Sequence, residues 1–326
     1  MQTLNVTPNE AGQRLDKLLA KYLNQAGKGF LYKMMRKKNI TLNGKKCDGS
    51  ERLSEGDEIR LFLSDETIEK FSGKKAEIPN PGYYPKPDII YEDSHILVVN
   101  KPTGLLSQKA KEGDESLNEI ILNYLIDSGR MPVAQLRTFR PSICNRLDRN
   151  TSGLVVAGRS LAGLQVMNAV FKDRSIHKYY QCIVKGRIKE RQLIAGFLRK
   201  DEEKNTVTIY PLEVEDSVPI MTEYLPLAWG DGFTQLQVTL ITGRSHQIRA
   251  HLASIGHPIV GDYKYGDRSL NEELKKRYGL RSQLLHSWKL VMPEDLAAPL
   301  DYLAGKEFFA PLPKGFIQVL EGEKIR

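Results

Sequence analysis

The spacing of apolar residues changes along the chain, and it predicts helices first and strands afterwards. Five apolar residues near the start recur at the i, i+3, i+4, i+7 and i+8 positions of a helix: Leu15, Leu18, Leu19, Tyr22 and Leu23. A second short helix is predicted over residues 30–35. The period then becomes two, which predicts strands at residues 40–42 and 58–63 and a hairpin turn at Asn43-Gly44. Two short helices on a small sheet are expected.

The rest of the chain alternates short β-type runs with turns and a few helices, which is typical of an α+β domain with a mostly antiparallel sheet. Strands are predicted at residues 89–91, 96–99, 154–157, 179–184, 207–210 and 233–240, and helices at residues 116–125 and 161–171. Residues 70–88 contain four prolines and two glycines, so they suit neither a helix nor a central strand. The sequence thus predicts a domain at residues 1–72, a linker at 73–88 and a second domain at 89–326.

Composition places the chain among soluble globular proteins. It has 326 residues, of which 40% are hydrophobic and 27% charged. The three cysteines are widely spaced, which favours a reducing cytoplasm over a disulfide scaffold. Neither a signal peptide nor an apolar run long enough to span a bilayer is recognisable, so we expect a cytoplasmic protein without membrane partners. A net charge of +8 indicates an acidic partner, but does not choose between RNA, DNA and an anionic surface.

The basic residues are concentrated near the start of the chain. Residues 14–46 carry ten basic side chains against one acidic one, and residues 47–72 carry three against eight. A charge run of this kind often marks only a solvated helix face. Here, however, the segments 14–16, 36–38, 40–45 and 55–59 together resemble the S4 RNA-binding domain. The resemblance implies that a basic surface contacts RNA phosphates through Arg14, Lys17, Lys33, Arg36, Lys37, Lys38 and Lys45.

A second polar stretch, residues 145–153, precedes a predicted strand. Asp148 lies here between Arg146 and Arg149, and positive surroundings favour an ionised carboxylate that can serve as a nucleophile or base. The same aspartate would also suit a turn cap or a surface ion pair. Residues 100–104, which include Lys101, form a turn after a strand and by themselves indicate only a loop.

A third polar stretch covers residues 242–262. Its histidines invite a metal interpretation, but His246 and His251 are five residues apart, about 140° around a helix, and no paired carboxylate accompanies them. We therefore expect no metal site. The more economical interpretation is a polar wall that donates to phosphate or base edges, formed by Arg244, His246, Gln247 and Arg249.

Together these segments resemble the RluA family of pseudouridine synthases, and within it the RluC type. The resemblance rests on residues 145–153, 178–186, 242–251 and 256–262, with residues 100–104 similar to the first motif of the family. It implies an α+β fold in which a small S4-like domain precedes a catalytic domain with a mostly antiparallel mixed sheet and flanking helices. The implied enzyme is an isomerase that flips a uridine out of structured RNA, breaks its glycosidic bond and rejoins the base through C5.

The resemblance also assigns roles to individual residues. Asp148 matches the catalytic aspartate, and whether it attacks the ribose or abstracts a sugar proton stays open. Tyr180 matches a tyrosine that stacks on the uracil and takes part in proton removal from C5, while Arg249 matches the arginine that pairs with the aspartate. The expected substrate contacts are Arg146, Asn145, Thr151, Arg244, His246, Gln247 and Lys101. Asn145 stands where the family usually has histidine, and Gln108 near where another histidine often stands, which leaves contacts to flanking nucleotides open.

Such an isomerisation requires no cofactor, nucleotide or metal. The expected partner is large-subunit ribosomal RNA (23S rRNA) or its assembly intermediates, and the expected state is a monomer. One alternative is a noncatalytic RNA-binding or ribosome-assembly protein. Another is a carboxylate-dependent hydrolase of nucleosides or glycosides, although such an enzyme would need a second acidic residue beside Asp148.

Overall fold

The computed structural model describes residues 1–72 and 84–326. The first part contains seven elements: β1 (Gln2–Asn5), α1 (Leu15–Tyr22), α2 (Lys28–Arg36), β2 (Ile40–Leu42), β3 (Lys45–Lys46), β4 (Glu58–Leu61) and α3 (Asp65–Ser72). The four strands form an antiparallel sheet in the order β1-β4-β2-β3. Most of the predicted linker, namely residues 73–83, lies outside the described residues.

Local sequence explains these first elements. The apolar face of α1 is buried as its spacing predicted, and it packs with α2 and the sheet in a core of its own. The hairpin turn between β2 and β3 places Asn43 at φ 50° and Gly44 at φ 72°. Two successive residues with positive φ define a turn whose twist matches antiparallel strands, and Asn-Gly is its preferred sequence. The two predicted helices and the hairpin are confirmed, whereas β1, β3 and α3 were not predicted.

The larger part of the chain is built on one extended sheet. Its strands are β5 (Ile89–Glu92), β6 (Ile96–Lys101), β7 (Ser142–Ile143), β8 (Ser152–Gly158), β9 (His177–Lys185), β10 (Gln192–Asp201), β11 (Thr206–Tyr210), β12 (Val218–Gly230), β13 (Phe233–Leu240), β14 (Leu285–Val291) and β15 (Glu307–Phe309). Its helices are α4 (Leu117–Asp127), α5 (Leu161–Asp173), α6 (Gln247–Ser254), α7 (Arg268–Tyr278) and α8 (Lys314–Gly322). The main strand order is β11-β10-β12-β13-β9-β14-β8-β6-β5, with β15 beside β14 and β7 beside β8.

The sheet is antiparallel except between β14 and β8, which pair in parallel. The predicted mixed, mostly antiparallel α+β architecture is therefore confirmed. Strand β8 is completely buried because both of its faces are covered. Val155 and Ala157 contribute to the core that includes α4, while Leu154 and Val156 contribute to the core that includes residues of α5.

Several elements were missed by the sequence analysis. Strand β12 contains Pro219 and Pro226, which count against a strand when only the pattern is considered. Strand β14 contains His286 and Ser287, two polar residues that the structure buries. Helix α6 begins at Gln247 inside the stretch interpreted as a polar wall. In each case contacts with distant segments decide the structure, and the local pattern does not show them.

The two parts of the molecule contact each other beside a short 3-10 helix, Val133–Arg137. Thr138 Oγ1 donates a hydrogen bond to Glu10 Oε1 at 2.5 Å. The Arg137 guanidinium lies 5.5 Å from the centre of the Tyr22 ring. None of the helices within residues 1–72 and 84–326 has the length and apolar character that a membrane span requires.

Candidate active site

A cleft of about 720 Å³ brings together the polar stretches that the sequence singled out. Asp148 lies on its wall, in the loop between β7 and β8, and Tyr180 of β9 also lines it. Residues 244–249, at the start of α6, form another side. The pattern predicted separate polar segments, and the fold places them around one cavity.

Asp148 is held by an arginine from the opposite side of the cleft. Arg249 Nη1 donates to Asp148 Oδ2 at 2.9 Å. The other nitrogens of the same guanidinium bind Asp262: Nε donates to Oδ2 at 2.7 Å and Nη2 donates to Oδ1 at 3.0 Å. Asp262 is fully buried and Arg249 is 7% exposed. Three of the guanidinium nitrogens are thereby fixed, which sets the orientation of Asp148.

Arg249 and Asp262 each stabilise the charged form of the other, although both side chains are buried. Burial acts to lower the pKa of Arg249, but hydrogen bonding and attraction to Asp262 raise it overall. Burial acts to raise the pKa of Asp262, but the hydrogen bonds and charge of Arg249 lower it overall. Backbone N–H groups of Lys264 and Tyr265 also donate to Asp262. The pair is therefore ionised around neutral pH.

His246 lies on the same side of Asp148 as Arg249. Its Nε2 is 4.0 Å from Asp148 Oδ2, and its Nδ1 is 2.8 Å from the Tyr265 hydroxyl. Burial lowers the pKa of His246, and Arg249 adds to this effect while Asp148 opposes it. The residue precedes α6 with φ 55°, a left-handed conformation that turns its ring toward the cleft.

The two arginines beside Asp148 in sequence do not pair with it. Arg149 Nε donates to the Gly104 carbonyl at 3.0 Å. Arg146 is exposed on the cleft, and its guanidinium has no hydrogen-bond or ion-pair partner in the described part of the chain. The cation next to the carboxylate is Arg249, so the expectation that the sequence neighbours supply it is corrected. Arg146 keeps its donors available to a substrate.

The loop after β6 clamps the segment that carries Asp148. Lys101 Nζ donates to the carbonyls of Pro102 at 2.9 Å, Leu105 at 2.8 Å and Arg149 at 3.0 Å. Burial lowers the pKa of Lys101 to about 7, whereas three carbonyl acceptors favour its ammonium form, since only that form has three N–H donors. All of its donors are used inside the protein. This placement argues against the predicted substrate contact and makes Lys101 a positioning residue.

Ser107 completes this clamp on the other side of Asp148. Its hydroxyl donates to the Leu147 carbonyl at 2.7 Å and accepts from the Leu147 N–H at 3.0 Å. Lys101 holds the carbonyl of Arg149, so the peptide units before and after Asp148 are both tied to one loop. The sequence analysis missed Ser107 because an isolated serine in a loop carries no pattern.

Asn145 and Thr151 fix the same segment to its neighbours. Asn145 Oδ1 accepts from the Val156 N–H at 2.9 Å, and its Nδ2 donates to the Leu154 carbonyl at 3.2 Å. Thr151 is buried, and its hydroxyl accepts a bond from Gln283 at 3.3 Å. Both residues line the cleft, but these bonds occupy their polar groups mainly within the protein. They argue for a structural role instead of the predicted substrate contacts.

Gln247 is likewise committed to the fold. Its Oε1 accepts from the Thr242 hydroxyl at 2.8 Å and from the Arg244 N–H at 3.1 Å. Its Nε2 donates to the Met221 carbonyl and the Thr222 hydroxyl, both at 3.0 Å. Every hydrogen-bonding group of the amide is satisfied. Of the predicted polar wall, Arg244 and His246 face the cleft, whereas Gln247 anchors the start of α6.

Tyr180 provides an aromatic surface inside the cleft. It is 7% exposed, whereas its neighbour Tyr179 points to the other face of the sheet, where Lys289 Nζ lies 5.5 Å from its ring centre. This opposite orientation follows from the alternation of side chains along a β-strand. Burial raises the pKa of Tyr180, and the nearby negative charge of Asp148 adds to the effect. The phenol is therefore protonated at neutral pH.

Several residues that line the cleft or lie behind its wall could not be assigned a role from the sequence. Asp262 belonged to a quoted motif, but nothing in the pattern showed that it pairs with Arg249. Three lysines also line the cleft: Lys178, Lys200 and Lys264. Across residues 1–72 and 84–326, no group of three or more His, Cys, Asp or Glu side chains is arranged to hold a metal ion. His251 packs instead against the Thr222 hydroxyl at 3.0 Å.

The predicted RNA-contacting residues of the first part lie at its surface. All seven are exposed: Arg14, Lys17, Lys33, Arg36, Lys37, Lys38 and Lys45. Arg14 differs from the others because its Nε and Nη2 each donate to Asp16 at 3.1 Å, and it precedes the first residue of α1. The remaining six present their charges to solvent, so the predicted phosphate contact stays open to them.

The chain is similar in sequence to proteins of known activity. Residues 95–254 match the family described as RNA pseudouridylate synthase. The chain is 30% identical over 295 residues to ribosomal large subunit pseudouridine synthase C of Vibrio vulnificus, covering 88% of this chain and 87% of that protein. It is 26% identical over 327 residues to ribosomal large subunit pseudouridine synthase D of Haemophilus influenzae, covering 98% and 94%.

Solved structures share the fold. The human RNA pseudouridylate synthase domain containing 4 superimposes with a TM-score of 0.58 at 20% identity, covering 73% of this chain and 94% of that one. The human RNA pseudouridylate synthase domain containing 1 gives a TM-score of 0.52 at 22% identity, covering 76% and 98%. At these identities the likeness concerns the architecture of the sheet and its flanking helices.

Proposed function

Because this chain belongs to the RNA pseudouridylate synthase family, as its resemblance to the RluA family indicated, we propose that it converts uridine to pseudouridine in 23S ribosomal RNA. The named substrate of the relatives supports this choice, since both are large-subunit enzymes and they align over most of their length. The observation that carries the proposal is the contact between Asp148 Oδ2 and Arg249 Nη1 at the wall of the cleft.

The chemistry requires a carboxylate beside the sugar of a flipped nucleotide. A cleft of about 720 Å³ is large enough for a nucleotide taken out of its helix. Asp148 then either attacks C1′ or removes a sugar proton, and the geometry suits both steps because each needs an ionised oxygen at the sugar. Arg249 holds that carboxylate in place through a hydrogen bond, and the clamp from Lys101 and Ser107 fixes the backbone around it.

Tyr180 supports the base while it is detached and turned. Its ring offers a stacking surface for uracil, and its protonated hydroxyl is a hydrogen-bond donor. A protonated phenol accepts the proton from C5 only if its own proton leaves at the same time. Tyr180 therefore positions the uracil in every version of the mechanism, and it carries a proton only together with another acceptor.

The first part of the chain holds the RNA through its phosphates. Exposed lysines and arginines on α1, α2 and the β2–β3 hairpin form an S4-like surface that positions RNA without reading much sequence. The enzyme acts in the cytoplasm as a monomer, on ribosomal RNA or its assembly intermediates, and no cofactor takes part in the isomerisation.

The test is pseudouridine mapping by carbodiimide-blocked primer extension on ribosomal RNA. Cells that lack the gene are complemented with the wild type, with Asp148→Asn or with Asp231→Asn, an exposed aspartate that serves as control. We expect specific stops with the wild type and the control, and none with Asp148→Asn. Stops that persist without the gene would favour a noncatalytic RNA-binding protein. Release of free uracil by the purified protein would instead indicate a hydrolase.

A further inference from the structure

Lys178 is a buried lysine of the cleft to which the chemistry above gives no role. It lies on β9 two residues before Tyr180, so both side chains occupy the same face of the strand, about 7 Å apart along it. Lys178 lines the same cleft as Tyr180 and Asp148. It therefore extends the substrate surface beyond the tyrosine on which the uracil stacks.

The ammonium group of Lys178 lacks a compensating partner. The residue is 8% exposed, and it forms no hydrogen bond or ion pair with any side chain or carbonyl in the parts of the chain that the structure describes. Lys101 is the contrasting case, because three carbonyls satisfy its ammonium. Burial lowers the pKa of Lys178, and the nearby positive charge of Arg174 lowers it further. The side chain lines the cleft and its ammonium has no partner among the described residues, so this arrangement suits a site that receives an anion.

RNA supplies such an anion next to the reacting nucleotide. When the uracil stacks on Tyr180 and the ribose faces Asp148, the sugar–phosphate backbone runs past the neighbouring surface. We propose that Lys178 binds a nonbridging phosphate oxygen adjoining the flipped uridine, an inference that rests on the proposed function. Arg174, which is exposed beside it, adds a second positive charge to the same place.

The uracil oxygens are the other possible acceptors inside the cleft, but they fit less well. Uracil is neutral until its glycosidic bond breaks, so it would leave the lysine uncompensated in the bound ground state. A phosphate carries its full charge from the moment of binding. Binding of phosphate affects the ground state and the transition state alike, so loss of Lys178 should raise KM and leave kcat nearly unchanged.

The experiment uses hairpin RNAs that contain the mapped target uridine. One hairpin is unmodified, and two others carry a neutral methylphosphonate on the 5′ or the 3′ side of that uridine. The full-length proteins are the wild type, Lys178→Met, Lys178→Gln, Lys178→Arg and Lys172→Met, in which an exposed lysine of α5 is removed as a control. Circular dichroism and thermal melting identify the variants that fold.

We expect Lys178→Met to raise KM on the unmodified hairpin by about tenfold to a hundredfold, the effect of losing one charge-assisted hydrogen bond. One methylphosphonate should raise KM for the wild type by a similar factor and add nothing for Lys178→Met. Lys178→Arg should recover part of the loss, and Lys172→Met should resemble the wild type. If Lys178→Met does not fold, Lys178→Gln takes its place in the same comparison.

Two results would overturn this inference. The first is a KM for Lys178→Met on the methylphosphonate hairpin that is raised by the product of the two separate factors. Such independence would show that the lysine and the phosphate do not interact. The second is a lower kcat of Lys178→Met with an unchanged KM, which would indicate that Lys178 interacts with the charge of the detached uracil instead of a phosphate. Failure of the wild type to convert the unmodified hairpin would instead contradict the proposed function itself, so the two failures are distinguishable.

Discussion

Arg249 Nη1 and Asp148 Oδ2 lie 2.9 Å apart, although 101 positions separate the two residues in sequence. The other two guanidinium nitrogens, Nε and Nη2, donate to the buried carboxylate of Asp262. Arg249 is therefore a fixed support that delivers one N–H to Asp148, the carboxylate that we propose to be catalytic. This relationship explains why an arginine is needed here, since a lysine offers only a point charge.

Replacing Arg249 by lysine should show whether Asp148 needs only a nearby positive charge or also the geometry of the guanidinium group. The shorter ammonium side chain would keep a positive charge but would not span both carboxylates, so we expect Arg249→Lys to lower kcat by about a hundredfold or more. Single-turnover release of tritium from 5-tritiated uridine in RNA measures this. Arg244→Lys, at an exposed cleft position, is the matched control and should affect KM more than kcat. Equal kcat losses in the two variants would contradict the assignment.

Removing the charge of Asp262 should destabilise the fold as well as the site. Asp262→Asn leaves Arg249 partly uncompensated in a buried position, which typically costs about 3–5 kcal/mol. The free energy of unfolding in urea should fall by that amount, while Asp231→Asn, at an exposed residue, should change it by less than about 0.5 kcal/mol. A stable Asp262→Asn variant with full activity would show that Arg249 needs no second carboxylate.

Lys101 should support activity without contacting RNA. Lys101→Met removes three hydrogen bonds to backbone carbonyls, of which the Arg149 carbonyl keeps the Gly104 N–H as a second donor. We expect a loss of about 3 kcal/mol in stability and a fall in kcat as the Asp148 loop loosens. The affinity for RNA should stay close to that of the wild type in filter binding. Lys109→Met, an exposed lysine nearby, is the control. Weaker RNA binding with unchanged kcat would restore the original expectation of a substrate contact.

Stability should decrease between about pH 6.5 and pH 4 because of buried histidines. His286 lies 2.9 Å from the Ser152 hydroxyl and 3.2 Å from the Ala310 carbonyl, and burial lowers its pKa to about 4 from an ordinary value of 6.5. Between these pH values His286 is protonated in the unfolded chain but not in the folded chain, so acid favours unfolding. Burial also lowers the pKa of His251 to about 4, so it acts in the same direction.

The histidine contribution is measured by urea unfolding at pH 7 and pH 5. We expect His286 to account for about 2 kcal/mol of the difference between the two pH values. His286→Gln should reduce that difference, whatever its cost at pH 7, whereas His177→Gln at an exposed position should leave it unchanged. A variant and wild type with the same pH dependence would show that His286 does not titrate in this way.

The basic surface of the first part should give RNA binding a steep salt dependence. The triple change of Arg36, Lys37 and Lys38 to glutamine should reduce the slope of log affinity against log salt by about two to three, because each phosphate contact releases counterions. The control replaces three exposed lysines near α7 and α8, namely Lys276, Lys314 and Lys324. Identical slopes for both triple variants would contradict a localised S4-like surface.

Elements governed by local rules were predictable. The spacing of Leu15, Leu18 and Leu19 predicted α1, and the Asn43-Gly44 pair predicted the β2–β3 turn. Strand β12 was not predictable in this way, because its two prolines count against a strand in the local pattern. Its pairing with β10 and β13 makes it a strand nonetheless. Strand β14 was not predicted either, because it contains polar residues such as His286. The hydrogen-bond partners that allow His286 to be buried come from distant segments.

The sequence alone determined the candidate chemistry: the stretch around Asp148, the segment 178–186 with Tyr180, and the polar stretch 242–262 were all recognisable in order along the chain. It did not reveal which polar residues face the cleft. Only the tertiary structure separated Arg244 and Arg146, whose guanidinium groups have no partner within residues 1–72 and 84–326, from Lys101 and Gln247, whose polar groups are bonded within the fold. The physical reason is that residue type limits which bonds a side chain can form, whereas long-range packing decides which partners are within reach.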